Sequence, residues 1–110
     1  VLTAVADLRW QVAKEKASYY WMEEGLTGQY YQYIDRQKLK GDLKAFFIED
    51  YVLWMTKESN GTQKLDKEVR AIFWRYMPFD QERKEELKKR SLAYKELYQR
   101  DINRSMSDGY

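Results

Sequence analysis

Apolar residues recur every three or four positions along this chain, with polar residues between them, so the pattern reads as helix almost from end to end. No stretch alternates convincingly with the two-residue period of a strand. Breaks fall at Gly25 and Gly28, at Gly41, at the SNGT of residues 59–62 and at the MPFD of residues 77–80. No internal repeat, low-complexity segment or long linker divides the chain. At 110 residues it is expected to form one domain.

The first helix is expected from about Thr3 to Glu24. It carries two apolar stripes: Val5, Leu8, Val12, Tyr19 and Met22 on one side, and Trp10, Ala13, Ala17 and Trp21 on another. A helix apolar on two sides needs two neighbours, and one of them can be another chain. A short second helix is expected between Gly28 and Lys40, where three Tyr in four residues fit a strand almost as well. The third helix, LKAFFIEDYVLWMTK behind an Asp42 cap, is apolar nearly all round and belongs at the centre. The fourth runs from about Leu65 to Tyr76 and is amphipathic through Leu65, Val69, Ile72, Phe73 and Tyr76. Pro78 ends it, because a residue before proline is pushed out of helical geometry.

Asp80 then caps a fifth helix with Glu82, Glu85 and Glu86 near its positive end and Arg100 and Arg104 near its tail. Its stripe is Leu87, Tyr94, Leu97, Tyr98 and Ile102. The sum is an all-α compact bundle of four to five helices, with the first and fifth packing across the third. The polar tail SMSDGY is expected to fray.

Composition changes this picture in two ways. Aromatic residues make up 16% of the chain, including ten Tyr and four Trp, and such rings bury enough area to give a short chain a sizeable core. Cys and His are both absent, which removes disulfides, thiolate chemistry, the commonest general base and the usual zinc, copper and iron ligands. The net charge of +2 is too small to argue for nucleic acid or a membrane surface. No apolar run approaches the roughly 20 residues that span a bilayer, and no signal-peptide pattern opens the chain. A cytoplasmic protein without metal, cofactor or membrane partner is the expectation. The chain opens on Val1 rather than Met, as a trimmed or excised segment would.

Carboxylates are the remaining catalytic candidates. The adjacent pairs Glu23–Glu24, Glu49–Asp50 and Glu85–Glu86 point about 100° apart on a helix, so none converges on one proton or metal from its own helix. The chain is therefore expected not to be an enzyme. Asp50 stands out, because on the helical wheel it falls among Leu43, Phe46 and Trp54. A buried carboxylate is costly unless paired, so an internal ion pair with Arg70, Arg75 or Arg9 is expected there. A tuned acid, a site for a partner's Arg, and an edge position reaching solvent are the other readings.

Four groups of residues are candidates for binding. Trp10, Ala13, Ala17 and Trp21 line a stripe whose small residues allow close approach of a helix, either internally or in a homodimer. Trp74 lies off the core stripe of its helix, beside Lys67 and Arg70. It suits a protein anchor, a ring stacked on a nucleic-acid base, or packing beneath a terminal helix under basic stems. The cluster Arg36, Lys38, Lys40 and Lys44 could meet phosphate, as could Lys88, Lys89 and Arg90, although acidic neighbours dilute both. The expected function is a small binding module acting through protein–protein contacts, as a homodimer or a subunit of a larger assembly. The alternative is a nucleic-acid-binding regulatory or accessory protein.

Overall fold

The computed structural model describes residues 2–17 and 25–108. Its six α-helices are α1 (Leu2–Ala17), α2 (Leu26–Arg36), α3 (Leu43–Thr56), α4 (Lys67–Tyr76), α5 (Gln81–Arg90) and α6 (Leu92–Asp108), with a 3-10 turn at Glu58–Asn60, and every junction but that between α5 and α6 falls at a break read from the sequence. No strand occurs among the described residues, and the all-α bundle is the observed architecture. Tyr19, Trp21 and Met22 lie outside the described residues, as does the Glu23–Glu24 pair.

The helix ends follow capping chemistry. Asp66 accepts the Glu68 amide at 2.9 Å, and Asp80 accepts the Arg83 amide at 2.8 Å, each satisfying an orphan N–H of the first turn. Asp42 occupies the same position before α3, but its side chain makes no capping bond. Met77, before Pro78, leaves helical geometry as expected (φ −135°, ψ 56°). Gly28 is buried inside the first turn of α2 rather than ahead of it, and Gly25 takes the extended cap position.

The expected fifth helix is two. Ser91 is extended (φ −153°, ψ 156°), and its carbonyl accepts the Lys95 amide at 3.1 Å to start α6. Leu87 and Tyr94 are seven residues apart, so periodicity alone reads straight through the break. Folding back at Ser91 lets α5 pack along α6 while both Leu87 and Tyr94 enter the core.

Phe47 of α3 and Phe73 of α4 sit at the centre, with ring centroids 5.6 Å apart. Trp10 meets Phe47 at 4.9 Å, Tyr30 meets Phe73 at 5.9 Å, and Trp54 meets Phe73 edge-on at 5.9 Å and stacks on Phe79 at 4.2 Å. These offset and edge-to-face arrangements are the ones aromatic quadrupoles favour. Helices α1, α2, α3 and α4 each supply rings to one cluster, and Tyr94 joins it from α6 beside Trp74.

Candidate functional site

The stripe expected to form a protein interface faces inward. Trp10 and Ala13 are buried with Ala6, and Trp10 is wedged between Phe47 and Tyr30. The small side chains of Ala6 and Ala13 let α1 lie close against α2 and α3, so the close approach read from the sequence is internal. The side chain of Ala17 and the whole of Trp21 lie outside the described residues. The other stripe of α1 is uncovered: Val5 is 43% exposed, Leu8 64% and Val12 38%. α1 is thus apolar on two sides, one buried through Trp10 and Ala13 and the other exposed at Val5, Leu8 and Val12.

Trp74 is not displayed. It is 1% exposed, and its indole N–H donates to Asp101 at 2.6 Å, while Lys84 lies over the ring at 5.4 Å and pairs with the same Asp101 at 3.2 Å. α4 is flanked by α2 and α3 on one side and α6 on the other, so residues off its main stripe are covered as well. Arg70 is buried for the same reason. Lys67 is exposed at the rim of a cleft between α4 and α6.

The basic cluster before α3 is divided. Arg36 pairs with Glu68 at 2.6 Å and Lys44 with Asp7 at 2.6 Å, which ties α2 to α4 and α3 to α1. Lys38 and Lys40 are exposed and have no ion pair among the described residues. Lys88 is turned toward the Tyr98 ring at 4.3 Å, and Arg90 donates to the Asn60 carbonyl at 3.0 Å.

Asp50 does not form the expected ion pair. Its partner is the Tyr30 hydroxyl, which donates at 2.5 Å across the α2–α3 contact. Burial raises the Asp50 carboxyl above its usual range, the nearby charges of Glu49 and Asp66 add to that, and the Tyr30 hydrogen bond opposes it. Arg9, one expected partner, donates instead to the Tyr76 carbonyl at 3.2 Å, and Arg70 serves a different carboxylate.

That carboxylate is Glu58, which sequence reasoning passed over as part of a loop. Glu58 is fully buried. Its Oε1 accepts Arg70 Nε at 2.6 Å and the Tyr94 hydroxyl at 2.8 Å, and its Oε2 accepts the backbone amides of Lys64 and Leu65. Arg70 Nη2 also donates to the Leu65 carbonyl at 2.8 Å. Burial alone would raise the Glu58 carboxyl, but these donors outweigh it and hold the carboxyl below the usual range. The signal was in the spacing: Phe47, Tyr51 and Trp54 form the buried stripe of α3, and the next step of four lands on Glu58. With every acceptor direction occupied, the cluster joins the 3-10 turn to α4 and α6 and presents no vacant group for chemistry.

Among the described residues, no group of three or more Asp or Glu side chains is placed to hold a metal ion. No described helix is long and apolar enough to cross a membrane. Residues 18–108 match the model of the family described as Domain of unknown function (DUF8509). No curated protein and no solved structure matches the chain.

Proposed function

The chain belongs to the DUF8509 family, and we infer that it is a non-enzymatic protein-binding module whose first partner is a second copy of itself. The observation that carries this reading is the uncovered face of α1. Val5, Leu8 and Val12 are spaced by three and four on a helix whose opposite face is already buried. In heptad terms Val5 and Val12 occupy a positions and Leu8 a d position, the pairing of β-branched and γ-branched residues that favours two parallel strands. The sequence returns to the same stripe at Tyr19 and Met22 after Glu15. α1 precedes the residues matched by the family, so this surface is argued from this chain's own residues. The seam is small, which makes association concentration-dependent rather than constitutive.

The nucleic-acid reading has less support. Its stacking ring, Trp74, is buried, and Arg36, Lys44 and Arg70 are each held by a carboxylate of the same chain.

Light scattering over a range of concentrations tests the proposal. The mass is expected to rise from the monomer value of 13.4 kDa toward twice that, with little response to salt, because apolar burial is not screened. Leu8→Asp, at an exposed position, is expected to keep the helical signal and the melting temperature but remain a monomer. A wild type of monomer mass at every concentration, or a Leu8→Asp protein that associates equally well, would overturn the reading.

A further inference from the structure

A second surface, lined mainly by α4 and α6 and by no residue of α1, is built from two facing stripes. Lys67, Ala71 and Arg75 follow one another at intervals of four on α4, and Leu97, Arg100 and Arg104 follow at intervals of three and four on α6. Between them lie two hollows of about 220 and 200 Å³, which share Ala71, Leu97 and Arg100 and so form one groove.

The charges along this groove do not balance. Arg70 is neutralised by Glu58, Arg104 pairs with Asp101 at 3.3 Å, and Glu68 is taken by Arg36. What remains is Lys67, Arg75 and Arg100 against the carboxylate of Glu96. Arg75 lies over the Tyr76 ring at 5.2 Å, and among the described residues neither Arg75 nor Arg100 has a carboxylate partner. Cations facing one another across a groove repel, and an anion between them removes that penalty. Two guanidinium groups also favour a planar, two-oxygen anion that each can grip with paired N–H donors.

We propose that the α4–α6 groove is a docking site for an acidic segment of a partner protein, its carboxylates held by Lys67, Arg75 and Arg100. The floor decides between a peptide and a nucleic acid. Ala71, Ile72 and Leu97 present apolar surface that an aliphatic side chain can cover; of the two aromatic rings at the groove, Trp74 is too deeply buried to stack on a base, and Tyr76 is half-buried with Arg75 over its face. Lys67 and Arg75 are separated by about 12 Å along α4 at 1.5 Å per residue. A segment of roughly four extended residues spans that distance, with acidic side chains at its ends and an apolar one between. This surface is separate from the α1 seam, so the two proposals fail independently.

The test is a titration of the ¹⁵N-labelled full chain with three probes: a peptide of about twelve residues alternating Glu pairs with Leu, an oligothymidylate of similar charge, and inorganic phosphate. The peptide is expected to shift the amides of Lys67, Ala71, Arg75, Leu97 and Arg100. Arg75→Gln combined with Arg100→Gln is expected to weaken it by about tenfold, since two charge-assisted contacts are lost. Lys38→Gln with Lys40→Gln removes the same charge at a remote surface and is expected to change the affinity less than about twofold. All four residues are exposed, and thermal melts verify that each variant folds. The proposal is overturned by absent or scattered shifts with the peptide, by equal weakening in the two double variants, or by tighter binding of oligothymidylate or phosphate at the same residues.

Discussion

Glu58 and Asp50 are two carboxylates of the same helical region whose environments send them in opposite directions. Glu58 is ionised and surrounded by donors from Arg70, Tyr94 and two backbone amides. Its folded-state pKa lies below the unfolded value, so its contribution is present above the unfolded carboxylate pKa and fades as pH falls through the folded one. Asp50 has only the Tyr30 hydroxyl and two acidic neighbours. Its folded pKa is raised, so its contribution is fully present below the unfolded pKa and is lost as pH rises through the folded value. Glu58→Gln is therefore expected to cost about 3 kcal/mol at neutral pH, because Arg70 is left buried without its charge partner. Asp50→Asn is expected to stabilise by about 1 kcal/mol at neutral pH and to lose that advantage in acid. Urea unfolding of both variants at neutral pH and near pH 3.5 measures the two signs together. A destabilised Asp50→Asn protein at neutral pH would show that the charge of Asp50 is supported.

At the scale of elements, the connections carry information that periodicity does not. Gly61 closes the 3-10 turn at φ +91°, a left-handed conformation, and a Cβ there would stand 2.8 Å from Arg90 Cδ. Arg90 in turn donates to the Asn60 carbonyl, so the turn after α3 and the last turn of α5 are fastened together. Gly61→Ala is expected to lower stability by about 1–2 kcal/mol through backbone strain and displacement of Arg90. The melting temperature and the urea midpoint report it, and an unchanged midpoint would mean that the turn relaxes freely. The break at Ser91 belongs to the same scale. A serine N-cap signal was present in KKRSLAY, but the seven-residue step from Leu87 to Tyr94 is consistent with one helix or two. Packing of α5 against α6 decides it.

For the molecule as a whole, one aromatic cluster organises the helices and leaves two unlike surfaces. The α1 seam is apolar and formed by Val5, Leu8 and Val12, whereas the α4–α6 groove is basic with an apolar floor. They lie on different helices and share no residue, so Leu8→Asp is expected to abolish self-association while leaving affinity for the acidic peptide unchanged. Sites without shared partners behave additively. Ion pairs such as Arg36–Glu68 and Lys44–Asp7 are exposed and tie neighbouring helices together, each contributing little by itself.

The helical class, every break but the one at Ser91, the Asp80 cap and the centrality of α3 were legible in the sequence, because they depend on local periodicity and backbone satisfaction within a few residues. Tertiary packing decided the rest. Both stripes of α1 look alike on a wheel, and only the positions of α2 and α3 determine that Trp10 goes inside and Leu8 remains outside. Trp74 lies off the main stripe of α4, yet α6 covers it. Glu58 finds Arg70 and Tyr94 only after three separate segments converge. The sequence by itself determines what each helix can bury; which face meets a neighbour, and so which residues remain for a partner, depends on how the helices are arranged around Phe47 and Phe73.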